Sequence, residues 1–238
     1  MASVALGLPI SASFRRYHLE HHTYQGVDEL DPDLPLAWEV RLIRGNMFAK
    51  ILWLAIYPAM YIVRGAAMMK TPSAWEIFNW VLVVSSNIAI YTFLGVDAFK
   101  YIALSTYFGY TFHPIAAHFI QEHFTFVDGQ ETFSYYGPGN LLTLNIGYHQ
   151  EHHDFPSIPW SGLPEVRRIA AKFYDPLKHW DSWSGLFLSF IADPSIGPVS
   201  RLARTHDAHK TGRRMVTRAT SKAAGVTADE IGDPQASQ

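Results

Sequence analysis

Gly147-Tyr148-His149-Gln150-Glu151-His152-His153-Asp154-Phe155-Pro156, the stretch GYHQEHHDFP at 147–156, decides how this chain is read. Histidines at i, i+3 and i+4 fall within roughly 100° of one another on an α-helix, so three imidazoles leave one face. Neutral imidazole is the commonest protein ligand for a transition metal. One H-x-x-H-H is weak evidence, because clustered histidines are also ordinary surface residues. Here the pattern occurs twice, since His18-Leu19-Glu20-His21-His22 repeats the spacing far upstream. The two copies take six of the 12 histidines, and chance explains that poorly.

The composition points to a membrane. Of 238 residues, 48% are hydrophobic, 14% aromatic and only 17% charged, against about 25% charged in a soluble domain. The formal net charge of −2 argues against a polyanionic partner such as nucleic acid. Cysteine is absent, which excludes disulfides, thiolate-ligated haem and cysteine-held iron–sulfur clusters. A redox role would rest on histidine, carboxylate or an external electron carrier. Met1 to Leu8 is apolar but lacks the basic region of a signal peptide.

Along the chain, Pro9 leads into a helix bearing Arg15, Arg16 and the first triplet. Asp28 to Pro35 (DELDPDLP) reads as a solvated surface loop rather than a metal site. Met47 to Val63 is apolar apart from Lys50 and holds Pro58; with Arg41, Arg44, Arg64, Trp53 and Tyr57 around it, it suits a helix lying in the headgroup region. Ile77 to Leu94 and Tyr101 to Gln121 carry no Asp, Glu, Lys or Arg, and each is long enough to cross a bilayer. Only Gly95 to Lys100 lies between them, so they form a tight hairpin. Seven Lys/Arg precede residue 71, Lys100 is alone up to residue 166, and basic residues resume at Arg167. The positive-inside rule then puts the 95–100 turn in the lumen and both triplets on the cytosolic side.

Tyr135 to Asn140 reads as a turn, Pro156 ends the second triplet's helix, and Leu163 to Tyr174 reads as an amphipathic helix. Trp180 to Ile191 is apolar and too short to span, so it is expected to lie against the membrane. Residues 1–204 form the membrane domain in this reading, and 205–238 form a disordered polar tail. The expected fold class is an all-α integral membrane protein: a transmembrane hairpin, interfacial helices and a cytosolic histidine-rich cap.

A third histidine group, His113, His118 and His123, falls at the cytosolic end of the second spanning segment. Ionisable groups there are expensive and functional by default. His113 either bonds a neighbouring carbonyl or serves the site. His118 is placed to point into it, and His123 and Glu122 either ligate or are solvated. Seven or more histidines exceed the four ligands of a tetrahedral zinc and suit two iron ions with positions left open. No H-E-x-x-H occurs, which disfavours zinc-protease chemistry. Glu20 and Glu151 hold the same slot in the two triplets; surface exposure is a slightly better reading than orientation of the ligands.

Several stretches together resemble the sphingolipid Δ4-desaturases of the membrane fatty-acid-desaturase and hydroxylase superfamily: Arg16-Tyr17-His18-Leu19-Glu20-His21-His22, Leu6 to Pro9, His113-Pro114 through Glu122-His123, Tyr135 to Pro138, and Asn145 through Pro156. The likeness runs from about residue 6 to 204 and is closest in 133–180. It implies a multi-pass endoplasmic-reticulum enzyme with two iron ions and a cytosolic metal site and C-terminus. It implies O2 as co-substrate and electrons from NAD(P)H through cytochrome b5 and its reductase. The implied reaction introduces the 4,5-trans double bond into dihydroceramide, a ceramide-like lipid with a sphinganine base. His18, His21 and His22 match the family's second histidine box, and His149, His152 and His153 its third; these six are the expected catalytic residues. His118 resembles an extra ligand carried on a spanning helix, with His123 its rival. The family's first box, H-x-x-x-H, and its two preceding spans are missing from the sequence, so two iron ligands are expected to be lacking. C4-hydroxylation to phytoceramide is the enzymatic alternative. An inactive, truncated membrane protein acting by interaction is the alternative from another class.

Overall fold

Pro9 and Gly7 stop the first helix from running into the second. In the computed structural model, which describes residues 2–204, α1 (Ala2–Leu6) ends at Gly7 with φ +67° and α2 (Ser11–Tyr24) follows. The tail expected to be disordered lies outside the described residues. Loop 25–36 leads to α3 (Ala37–Ile43) and then α4 (Met47–Ala67), which opens with Asn46 Oδ1 accepting from Ala49 N at 2.9 Å. Along α4 the buried residues Lys50, Trp53, Leu54, Tyr57, Met60 and Arg64 recur at three- and four-residue spacing, which makes one protein-facing stripe. Phe48, Leu52 and Ile62 on the other faces are exposed.

That stripe alters the reading of α4. Lys50 and Arg64 do not face headgroups: Lys50 Nζ donates to the carbonyls of Phe190 (2.5 Å), Asp193 (2.6 Å) and Ile196 (3.0 Å). Arg64 forms a two-point pair with buried Glu39, Nε to Oε1 at 2.8 Å and Nη2 to Oε2 at 2.7 Å. At 21 residues α4 is, by length and composition, apolar enough to cross a membrane, as is the helical run Ala74–Tyr110.

The second run folds back on itself. Ser73 and Glu76 form a capping box at the start of α5 (Ala74–Ala89), a π turn spans Ile90–Leu94, and α6 (Gly95–Tyr110) returns. A Cβ on Gly7 would lie 3.1 Å from Ile102 Cγ2 and 3.4 Å from Asn87 Oδ1. A straight helix would separate positions 87 and 102 by about 22 Å, so the chain must reverse between them. Gly95, at φ +86° and ψ 172°, supplies the reversal in a region closed to side-chain-bearing residues. The hairpin is therefore tighter than the sequence suggested: the bend falls at Leu94–Gly95 and residues 95–100 are already helical. Its second arm ends at Tyr110 rather than Gln121, because Pro114 lacks an N–H and restricts His113. A 3₁₀ turn (Pro114–Ala117) and then α7 (His118–His123) follow the break.

The rest of the chain wraps back over α4 and α7. β1 (Ser134–Tyr135) pairs in parallel with β2 (His179–Trp180), and between them lie α8 (His149–Asp154), α9 (Leu163–Ile169) and α10 (Ala171–Tyr174). The single amphipathic helix expected over 163–174 is broken at Ala170 (φ −110°, ψ 24°). In α11 (Trp183–Ala192), Trp183, Leu186, Phe187 and Phe190 enter the core against Trp53, Ile120 and Phe124. Most of that segment's apolar surface is thus spent inside the protein. Residues 198–204 return to α2's loop, where Val27 and Arg204 form a β-bridge.

Candidate metal centre

α2 and α8 each present three imidazoles on one face, and the fold brings those faces together with the end of α7. His18, His22 and His152 form one group, with Nε2 separations of 3.1 Å (18–152), 3.1 Å (18–22) and 2.9 Å (22–152). His21, His123 and His153 form a second, deeper group: His21 and His123 Nε2 lie 2.9 Å apart. His149 Nε2 is 3.1 Å from His123 Nε2 and extends this group. The two groups touch, with the rings of His22 and His153 stacked at 4.2 Å.

Elementary hydrogen-bond bookkeeping shows why such groups, when neutral, suit a bound cation. A neutral imidazole nitrogen is either a donor or an acceptor. Among three mutually adjacent Nε2 atoms, at least one pair must be donor against donor or lone pair against lone pair. In the deeper group the conflict is explicit. With His21 Nδ1–H donating to Asp31 Oδ1 at 2.8 Å and His123 Nδ1–H to the Glu131 carbonyl at 3.3 Å, a neutral His21 would face His123 with two bare Nε2 lone pairs. His153 Nε2 is buried without a hydrogen-bond partner. A metal–imidazole bond of about 2.1 Å places adjacent ligand nitrogens at right angles about 3.0 Å apart, which is the separation seen. The donor set therefore fits transition-metal ions, one against each group.

The electrostatics keep the lone pairs free. Burial, then the neighbouring imidazoles, lowers His18 from 6.5 to about 4 and His22 to about 3. The same causes hold His123, His149 and His153 well below the ordinary histidine value. His21 is the exception. Burial pushes it down, but the hydrogen bond and charge of Asp31 outweigh that, and its net shift is upward.

Among the expected site residues, His18, His21, His22, His149, His152, His153 and His123 converge. His118 stands outside both groups: its Nδ1–H donates to the Ile115 carbonyl at 2.7 Å, and its Nε2 lies 3.9 Å from Glu122 Oε1. That oxygen is also 3.9 Å from His149 Nδ1. His113 is exposed, and its Nδ1 accepts from Ile115 N at 3.2 Å, capping the turn that starts at Pro114. The matched glutamates separate. Glu20 is half-buried and paired with Lys70. Glu151 is fully buried, accepting from Ser134 Oγ and Tyr136 Oη at 2.7 Å each.

Two features were missed in the sequence. The acidic loop is not simply solvated: Asp31 is buried against His21, and Asp33 accepts from Tyr61 Oη and Arg201 Nη2, each at 2.7 Å. Its proline-broken, acidic composition hid this, and only its place ten residues after His21 hinted at it. The seat of α8 was the second. Gly147 lets the backbone pass where a Cβ would come within 2.4 Å of Asn140 Oδ1, and Gln121 Nε2 donates to the Gly147 carbonyl at 3.1 Å.

Comparison with known proteins agrees with this geometry. Residues 1–184 match the family model described as "Fatty acid desaturase". Over 205 residues the chain is 45% identical to the Drosophila melanogaster protein named "Sphingolipid delta(4)-desaturase DES1", covering 86% of this chain and 64% of the relative. It is 44% identical to the Homo sapiens protein of that name, over 90% of this chain and 65% of the relative. It is 43% identical to the Arabidopsis thaliana "Sphingolipid delta(4)-desaturase DES1-like", over 85% and 61%. The chain thus spans just under two thirds of the length of these relatives. No solved structure shows a significant match. With its paired histidine triplets and this match over most of its length, the chain belongs to the fatty acid desaturase family.

Proposed function

We propose that residues 1–204 are the iron-bearing domain of a sphingolipid Δ4-desaturase, which introduces the 4,5-trans double bond into dihydroceramide. The single observation that carries this is the convergence of seven imidazoles into two groups suited to a cation, in a chain about as similar to the named desaturases as those comparisons report. His18, His22 and His152 would hold one iron, and His21, His123, His149 and His153 the other. Bound there, two irons supply O2 activation and the one-electron steps that remove two hydrogens from adjacent carbons. The protein's own part is to aim the imidazoles by packing and, for His21 and His123, by Nδ1 hydrogen bonds. Electrons come, by this reading, from NAD(P)H through cytochrome b5 and its reductase.

The same reading places the chain in the endoplasmic-reticulum membrane with the histidines on the cytosolic side. Parity supports it. Nε2 atoms of His18 and His152 at 3.1 Å must share one side of a bilayer, so the intervening chain crosses an even number of times. The folded-back run Ala74–Tyr110, apolar enough to cross, would supply two crossings in this reading. A third crossing by α4 would part the triplets, so α4 lies along the interface with its apolar outer face toward lipid. The lipid substrate would reach the histidines from that face.

The test is conversion of dihydroceramide by microsomes expressing the protein in its full native reading frame, in cells without Δ4-desaturase. Ceramide with a 4,5-trans double bond is expected, dependent on NADH and lost in His152→Ala. Iron-loaded protein that yields only a C4-hydroxylated product, or no product with its electron donors supplied, would overturn the assignment.

A further inference from the structure

The two histidine groups are not equally supported. In the deeper group, His21 Nδ1 bonds the side chain of Asp31 and His123 Nδ1 a backbone carbonyl. In the outer group, no Nδ1 atom of His18, His22 or His152 has a carboxylate partner among the described residues. Asp31 is itself fixed. Its Oδ2 accepts from Gly26 N at 2.7 Å and its Oδ1 from Asp33 N at 2.9 Å, and the side chain is fully buried at its contact with His21. The loop holding it is tied down by Arg201 on Asp33 and by Arg204 on the Gln25 carbonyl.

We propose that Asp31 is a positioning residue that distinguishes the two metal positions: it locks His21 with its proton on Nδ1 and its Nε2 lone pair turned inward, and so tightens the deeper iron selectively. The inference rests on the iron-site reading above. A carboxylate accepting the far N–H of a ligating imidazole fixes its tautomer and raises its basicity, and losing such a partner costs 10- to 100-fold in metal affinity. The outer position has no such partner among the described residues and should not respond. Asp31 touches neither iron nor substrate in this scheme, and it acts only through His21.

The experiment titrates the full chain with iron(II) under anaerobic conditions against a competing chelator, and records Mössbauer spectra of the 57Fe-loaded protein. Asp31→Ala should weaken one binding phase by roughly 10- to 100-fold and alter one of two spectral components, leaving the other phase and component unchanged. Asp31→Asn, which keeps an acceptor at the Oδ1 position, should recover part of the loss. Asp28→Asn, in the same loop but exposed, should match the unsubstituted chain. Equal weakening of both phases with a fall in thermal stability would mean that Asp31 only shapes the loop, and the proposal would fall. An iron-loaded chain indifferent to Asp31 would overturn it while leaving the iron site standing. A chain with no iron-binding phase at all would overturn both.

Discussion

Glu20 and Glu151 occupy the same slot in two identical histidine spacings, yet their removal should have very different consequences. On an α-helix that slot lies opposite the imidazole face. In α8 the opposite face is buried, and the Glu151 carboxyl accepts from Ser134 Oγ and Tyr136 Oη at 2.7 Å. Burial pushes this carboxyl up, against the opposing pull of those two hydroxyls. Glu151→Ala removes both bonds and leaves a void, at a cost of about 2–5 kcal/mol for the pair of buried hydrogen bonds. In a chain of this size that lowers the melting temperature by roughly 5–15 °C. Since α8 carries three of the seven imidazoles, iron binding should fall with it although Glu151 touches no metal. In α2 the opposite face is only half-buried, and Glu20 pairs with Lys70 and, at 3.8 Å, Arg16. Ion pairs within reach of solvent contribute about 0–1 kcal/mol, so Glu20→Ala should shift the melting temperature by no more than a few degrees. Differential scanning fluorimetry in detergent and iron content by mass spectrometry read both effects. Equal shifts for the two variants, or an unshifted Glu151→Ala, would refute the account of how α8 is seated.

Acidification should destabilise the metal-free protein. His18 and His22 are held below 6.5, at about 4 and about 3, so the unfolded chain binds protons that the folded chain resists. Their contribution is whole above pH 6.5 and is lost as the pH falls toward those values. His21 and the Glu151 carboxyl, both shifted upward, work in the opposite sense, but His123, His149 and His153 add to the first two; a melting temperature that rises between pH 7 and pH 5 would contradict this. Gly95→Ala forces a side chain into φ +86°, ψ 172° and should cost about 1–3 kcal/mol, measured as a lower melting temperature; no change would mean that the reversal is made elsewhere. Glycosylation acceptors at 96–98 should be modified in microsomes and acceptors near 30 and 160 should not, and modification at either flank would sink the topology.

The histidine spacings were legible because a 3.6-residue period turns i, i+3, i+4 directly into a shared face. The hairpin was legible because only Gly95 to Lys100 separates two uncharged stretches. Its exact bend was not, since Gly95 ends one helix and starts the next without a loop. The fate of His118 and His123 was hidden for a similar reason. One continuous helix from Tyr101 to Gln121 would have aimed His118 at the site. The break at Pro114 starts a new axis, on which His123 points in and His118 bonds the Ile115 carbonyl. Asp31, Lys50 and Arg64 were misplaced because charge in an unaligned sequence argues for solvent. Each instead has a buried partner that is distant in the chain or shielded by a turn: His21, the end of α11, and Glu39.

Iron per molecule in the purified chain, by mass spectrometry, tests the central claim most directly when read beside His123→Ala, His118→Ala and His113→Ala. The account predicts bound iron in the unsubstituted chain, a marked loss in His123→Ala, and little change in the other two. An iron-free chain, or loss in His118→Ala with His123→Ala unaffected, would contradict it.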